Sequence, residues 1–139
     1  MAYSNVPIFP QVIQNYGVQI ANTDSTTKKL LCGAGTNGTK IEFIQASTTD
    51  TSNNTLQLYL YDGTTYHLVT TYTVTAGSGN SGTVAAFNIL NSSQVPAFPY
   101  DSNGNKYIYL KNGWSLYVGV TVAVTSGKTL DIIAQGEDY

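Results

Sequence analysis

The sequence predicts an all-β domain, a two-sheet antiparallel sandwich of the jelly-roll type with eight or nine strands. Apolar and polar residues alternate with a period of two along most of the chain, which is the pattern of strands with one face in a core. Turn signals such as Asp62-Gly63 and Asn112-Gly113 separate the alternating segments. No stretch of the sequence carries the 3.6-residue apolar stripe that an extended amphipathic helix requires.

Nine segments carry this alternation, and turn-forming residues bound them. In residues 55–61 three leucines share one face, and in residues 114–124 a tryptophan, a leucine and four valines do so. Residues 90–94, which precede Pro96, are predicted to form a short helical turn. The other predicted strands are residues 14–21, 28–32, 39–46, 65–74, 84–89, 107–110 and 129–135.

The strands are assigned to one sandwich domain of residues 14–139, preceded by an extended N-terminal arm of residues 1–13. A chain of 139 residues has the size of a single domain. Short antiparallel strands with long connections between some of them favour a jelly roll. An immunoglobulin-like sandwich is the alternative, but the segment 74–106 is too long and irregular for its evenly spaced strands.

The chain carries few charges. Only 10% of its residues are charged, none is arginine, and the formal net charge is -2. The six lysines are scattered or at most paired, so the concentrated basic face that a nucleic-acid partner requires is absent from the sequence. The apolar stretches are too short to cross a bilayer, and the first ten residues lack the pattern of a signal peptide. We therefore expect neither a nucleic-acid partner nor a membrane association.

Motifs that resemble reactive or ligand-binding sites have simpler structural explanations here. Residues 33–38 match G-x-G-x-x-G, but a predicted strand follows them where a dinucleotide site needs a helix. Residues 101–105 begin like a calcium loop without its later ligands, so a turn is expected and weak calcium binding stays open. His67 and Cys32 are each the single residue of their type, and Cys32 is predicted to be buried. We expect no enzyme activity, no cofactor and no metal site.

Tyrosines are the main candidates for contact with other proteins. Tyr59, Tyr61 and Tyr117 alternate with the predicted core positions, so they are expected on an outer face. A protein interface is the first interpretation, since interfaces are depleted in charge and enriched in tyrosine. Cross-strand packing is the second interpretation, and stacking on sugars is the third.

Seven short segments of turns and strands form a further pattern: TTKKLL at 26–31, GTNGTKI at 35–41, ASTTD at 46–50, AGSG at 76–79, NIL at 88–90, YDSNGN at 100–105 and AQGEDY at 134–139. Together they resemble small bacteriophage virion proteins that decorate or cement the capsid. The likeness covers most of the domain from about Gly17 onward.

This resemblance implies a jelly-roll homotrimer seated on the outside of a phage head, made in the bacterial host cytoplasm. Its partner would be the major capsid protein, whose neighbouring subunits it ties together. In the arm, Ile8 and Phe9, with the adjoining Pro10, are expected to insert into a neighbouring subunit or the capsid surface. Tyr139 at the C-terminus is expected to contribute a trimer contact.

Two other functions are weighed against capsid decoration. A carbohydrate- or receptor-binding module of a phage tail or fibre would use Trp114 and the outward tyrosines to line a groove. A hydrolase on a jelly-roll scaffold is disfavoured, because no acid/base pair or metal set stands out among the eight carboxylates.

Overall fold

The computed structural model describes Pro7 and residues 9–139, and within them nine β-strands form two antiparallel sheets. The predicted two-sheet sandwich is therefore confirmed. A single turn of 3₁₀-helix spans Asn22–Asp24. The strands are β1 (Val12–Ala21), β2 (Lys29–Gly33), β3 (Thr39–Thr48), β4 (Asn54–Tyr61), β5 (Tyr66–Val74), β6 (Phe87–Asn88), β7 (Ile108–Leu110), β8 (Ser115–Val120) and β9 (Thr129–Asp138).

The strand order is that of a jelly roll. One sheet runs β1-β9-β3-β6, with β7 also paired to β3, and the other runs β2-β8-β4-β5. The short strands β6 and β7 pair with different parts of one edge of β3, so together they fill a single strand position. Eight positions in two four-position sheets, with the chain crossing between the sheets, correspond to the two Greek keys of this architecture.

The core lies between the inward faces of the two sheets, as the period-two pattern predicted. The side chains that are fully buried there include Ile20, Ile41, Ile44, Leu130 and Ile132 from the five-stranded sheet and Leu56, Leu58, Tyr72, Leu116 and Val118 from the four-stranded sheet. Cys32 is also buried, as predicted, and burial raises the pKa of its thiol to about 12. The thiol therefore remains protonated at neutral pH and packs as a small apolar group.

Some predicted element boundaries are wrong. The strand predicted for residues 114–124 ends at Val120, because the chain must leave the four-stranded sheet and cross to β9 in the other sheet. It bends at residues 121–122, which leaves Val122 exposed before Val124 returns to the core. Residues 90–94 form non-helical turns instead of a helical turn.

The N-terminal boundary also differs slightly from the prediction. The strand β1 begins at Val12, which pairs with Asp138, and the Gln11 N–H donates to the Asp138 carbonyl at 2.8 Å. The sheet thus holds the chain from Gln11 onward. In the described part of the chain, no helix has the length and apolar character needed to cross a membrane.

Candidate protein-interaction surfaces

Four tyrosines form a cluster on the outer face of the four-stranded sheet. Antiparallel register places Tyr59 opposite Tyr117 and Tyr61 opposite Tyr66. The rings of Tyr61 and Tyr66 stack with centroids 4.4 Å apart. Tyr117 meets both of those rings edge-on, at 5.2 Å from Tyr61 and 5.0 Å from Tyr66. The structure thus brings the three predicted tyrosines together and adds Tyr66; we call these four residues the tyrosine cluster.

A lysine covers part of the tyrosine cluster. The Lys28 ammonium lies 4.9 Å from the ring centroid of Tyr59 and 5.2 Å from that of Tyr66, within the range of cation–π contacts. Tyr59, Tyr61 and Tyr117 are half-buried by these neighbours, whereas Tyr66 is exposed. Cross-strand packing, the second interpretation from sequence, therefore accounts for much of the tyrosine contact area. The exposed Tyr66 ring and the Lys28 ammonium remain available to a partner.

Tyr139 belongs to a different aromatic group, on the five-stranded sheet. Its N–H donates to the Gly38 carbonyl at 3.2 Å, and its ring lies 6.3 Å from that of Tyr109. Tyr109 in turn meets Tyr107 edge-on at 5.2 Å. Tyr109 and Tyr139 line an open cleft of about 450 Å³. Partial burial and a hydrogen bond with Tyr109 raise the pKa of the Tyr139 hydroxyl, so it stays neutral and can donate to a partner.

The outer face of the five-stranded sheet carries an exposed apolar patch that the sequence pattern did not reveal. It consists of Ile13, Phe43 and Ile133, with exposed fractions of 72%, 38% and 47%. Phe43 pairs with Gln135, two residues from Ile133, and the two apolar side chains line one depression. Ile13 on β1 lies diagonally across from the same Gln135. We call these three residues the outer apolar patch.

A β-bulge in β3 creates this patch. If the residues of β3 alternated strictly, Phe43 would point into the core as Ile41 does, and only Glu42 between them would point to solvent. The register shifts between Ile41 and Phe43, so Glu42 and Phe43 are both exposed and Ile44 returns to the core. The sequence offered no turn or glycine signal at this point, which is why the period-two pattern missed the patch.

The surroundings of the patch are polar, with charged residues at its edges: Glu137 pairs with Ile13, and the exposed Glu42 adjoins Phe43. Asn15 and Gln135 lie between its members, and the Gln135 amide donates to Asn15 Oδ1 at 3.2 Å. Gly17 pairs with Ile133 and has no side chain to cover it. Exposed apolar side chains bordered by polar residues have the composition of a protein interface, whose rim is polar.

The described part of the predicted arm is exposed. Phe9 and Pro10 lie at the surface, next to the start of β1. Ile8, the third predicted contact residue of the arm, lies outside the described residues. Phe9 therefore adds a large apolar side chain beyond the outer apolar patch, and its insertion into a partner stays a prediction.

Trp114 does not share a groove with the tyrosine cluster. It lies just before β8, and its ring stacks on the exposed His67 with centroids 6.2 Å apart. His67 Nε2 lies 2.9 Å from Asp62 Oδ2. This contact, followed by hydrogen bonds from Thr65 and Thr64, lowers the pKa of the Asp62 carboxyl. The arrangement orders the β4–β5 turn.

The other sequence motifs have structural roles. The glycine-rich residues 33–38 lead into the strand β3, as predicted. Asp101 Oδ1 accepts hydrogen bonds from the N–H groups of Asn103 and Asn105, each at 2.9 Å, which makes the predicted turn. Across the residues that the structure describes, no three His, Cys, Asp or Glu side chains come together as a metal site would require.

Comparison with known proteins gives a fold relative and no family. No protein-family model and no curated protein matches the chain. Among solved structures, the core of Drosophila NLP is similar, with a TM-score of 0.51 and 10% sequence identity. The alignment covers 92% of this chain and 100% of that one. At this identity the likeness concerns the fold alone.

Proposed function

We propose that the protein is a structural virion protein that binds the outside of a phage capsid and cements neighbouring major capsid protein subunits, as a homotrimer. The role is passive, so it demands complementary surface and no reaction chemistry. It is suggested first by the resemblance of most of the domain, from about Gly17 onward, to phage decoration proteins. Such a role also requires surfaces that suit protein contact.

The observation that carries the proposal is the outer apolar patch. Ile13, Phe43 and Ile133 stand exposed on the outer face of the five-stranded sheet. Burying apolar side chains of this kind in a partner is the main source of binding free energy, at about 25 cal/mol per Å² of apolar area. Phe9, which lies just before the start of β1, extends the apolar area that docking could bury.

The tyrosine cluster and Tyr139 provide two further surfaces, on opposite sheets. A decoration protein needs more than one contact surface, because it must hold neighbouring copies and the capsid at the same time. Tyrosine suits such contacts, since it buries a large ring at small entropic cost and keeps a hydroxyl for hydrogen bonding. We assign the outer apolar patch to the capsid and the tyrosine-rich surfaces to subunit contacts.

The fold relative supports the idea of a self-assembling jelly roll. The structure of the Drosophila NLP core was reported for its insight into pentamer formation and histone binding. Pentamer formation by that protein is an example of assembly on a similar fold, whereas the trimer proposed here comes from the phage resemblance. Histone binding is not carried over, because eight carboxylates against six lysines give this chain no strongly acidic face.

The proposal is tested by co-sedimenting the purified protein with capsids of its phage that lack it. We expect saturable binding, and we expect Ile133→Asn to weaken it by about tenfold or more, since the substitution puts an amide into an apolar contact. Val122→Asn is the matched control: Val122 is also exposed, but it lies at the bend after β8, away from the patch.

Equal binding by wild type and Ile133→Asn would contradict the assignment of the patch to the capsid. Failure of the wild type to bind at all would contradict the decoration role. Binding to cell-surface glycans without binding to heads would favour the alternative, a receptor-binding module of a tail or fibre.

A further inference from the structure

A polar pocket lies at the edge of the outer apolar patch and shares Phe43 with it. It has a volume of about 420 Å³, within the range of small-ligand sites. Four stretches of chain meet there: the β3 bulge, β6, the turn after β6, and the loop that precedes β7. The side chains that line it are mainly Phe43, Asn88, Asn91, Asp101, Asn103 and Asn105.

The asparagines of the pocket are held in place by their oxygen atoms. Asn88 Oδ1 accepts the Asn91 N–H at 3.0 Å, and Asn91 Oδ1 accepts the Lys106 N–H at 2.7 Å. Within residues 9–139, the amide nitrogens of Asn88 and Asn91 donate no hydrogen bond, although each carries two N–H groups. Two fixed, unused donor groups therefore line one pocket, which is the preorganisation that ligand binding favours.

The charges of the pocket select against anions. Asp101 and Glu42 both line it, so an anionic ligand would be repelled. Asp101 Oδ1 accepts two backbone hydrogen bonds, while its Oδ2 accepts none from the described residues and can accept from a ligand. Glu42 Oε1 already lies 3.1 Å from the Lys40 ammonium. A neutral ligand with many hydroxyl groups fits better, since it both donates to carboxylates and accepts from amides.

We propose that this pocket binds a neutral saccharide. The half-exposed Phe43 ring supplies an apolar surface for the C–H face of a sugar ring, and the Asn and Asp side chains supply hydrogen bonds to its hydroxyl groups. The inference goes beyond capsid decoration, because it gives the protein a second activity, the binding of a glycan. Since Phe43 belongs to both surfaces, a sugar and the capsid would compete for it. It also places the sugar site away from Trp114 and the tyrosine cluster.

The test is an NMR titration of the ¹⁵N-labelled protein. Maltose, lactose, cellobiose and N-acetylglucosamine are each added to millimolar concentrations, and the amide chemical shifts are measured. We expect at least one sugar to shift the side-chain amide signals of Asn88 and Asn91, with millimolar affinity. Asn103→Ala with Asn105→Ala should weaken binding by about tenfold, at roughly two- to tenfold per lost hydrogen bond.

Asn91→Asp is the sharper variant, because it keeps the oxygen that accepts the Lys106 N–H and replaces the amide donors with a second, negatively charged carboxylate oxygen. It should also lose about two- to tenfold in affinity. Asn80→Ala, in an exposed loop outside the pocket, is the matched control and should bind as wild type.

Several results would overturn the saccharide site. These are the absence of shifts with every sugar, shifts with calcium chloride and none with sugars, or sugar binding that survives all pocket variants. Sugar binding that is lost instead in Trp114→Ala would place the site elsewhere. Since the pocket asparagines lie outside the outer apolar patch, capsid co-sedimentation of Asn103→Ala with Asn105→Ala should remain intact, which separates this inference from the decoration role.

Discussion

Asp50 is a buried carboxylate that joins two loops at one end of the sandwich. Its Oδ1 accepts the Ser52 N–H, and its Oδ2 accepts the Asn54 amide and the Thr125 N–H, all at 3.0 Å. Burial raises the pKa of this carboxyl, but the hydrogen bonds from Thr125, Ser52 and Asn54 outweigh burial and hold the pKa well below its usual range. The carboxylate therefore ties the β3–β4 turn to the segment that crosses from β8 to β9.

Asp50→Asn should lower the free energy of unfolding by about 2–3 kcal/mol. The new NH₂ group faces hydrogen-bond donors, so at least one buried charge-assisted hydrogen bond is lost and one donor is left without an acceptor. Urea unfolding of both proteins measures the difference. Asp131→Asn is the control, because Asp131 accepts only the exposed Gln19 amide at 2.9 Å, and its cost should stay within about 0.5 kcal/mol. Equal costs for the two variants would contradict the role given to Asp50.

The same carboxylate predicts how stability depends on pH. A carboxyl whose pKa is lower in the folded state stabilises the fold above its unfolded pKa of about 3.9, and that contribution is lost as pH falls through the folded pKa. Wild type should therefore lose stability progressively below about pH 4, and Asp50→Asn should show a flatter profile. Urea unfolding at a series of pH values measures both curves. Parallel curves would show that other carboxyls carry the acid sensitivity.

At the scale of elements, the β3 bulge depends on a glycine in the facing strand. Gly136 pairs with Ile41, and a Cβ there would lie 2.5 Å from the Lys40 carbonyl oxygen. Gly136→Ala should therefore destabilise the protein by about 1–3 kcal/mol, because a backbone atom must move.

Thermal or urea unfolding checks this, with Gly17→Ala as the control on the opposite side of β9. A Cβ at Gly17 meets no atom closer than 4.0 Å, so its substitution should change stability by less than about 0.5 kcal/mol. If Gly136→Ala left the free energy of unfolding unchanged, the bulge would not be held by close contact between β3 and β9.

Alternation and turn residues were enough to predict the strands, because each strand packs one face on the core and the period is therefore fixed. They predicted the tyrosine positions Tyr59, Tyr61 and Tyr117 for the same reason. They missed Tyr66, whose place beside Tyr61 depends on the register set by the turn between β4 and β5. They also missed Phe43, because a bulge reverses the direction of every residue that follows it.

The polar pocket was beyond the reach of sequence patterns altogether. Its residues come from four separate stretches of chain, and only the crossing of the β3 edge by β6 and the following loops brings them together. Asn88 lies in a predicted strand and Asn91 in a predicted helical turn, and in the structure their side-chain oxygens accept backbone hydrogen bonds. They are candidate ligand-binding residues because both line the pocket with amide groups whose N–H donors have no partner among the described residues.

For the whole molecule, the fold explains how one small domain can offer several independent contacts. The core lies between the inner faces of the two sheets, so core packing does not constrain the residues of the two outer faces. One face bears the outer apolar patch, the other bears the tyrosine cluster, and the exposed arm residue Phe9 adds a third contact. A subunit that must touch both its own copies and a capsid needs this separation.

The most direct test of capsid decoration is a reconstruction of phage heads saturated with the protein. We expect jelly-roll density on the outer surface, grouped around three-fold axes as trimers, with Ile13, Phe43 and Ile133 facing the capsid. Density that is absent from heads, or found on the tail, would contradict the decoration role. Density on heads with the outer apolar patch turned to solvent would keep that role and contradict the surface assigned to it.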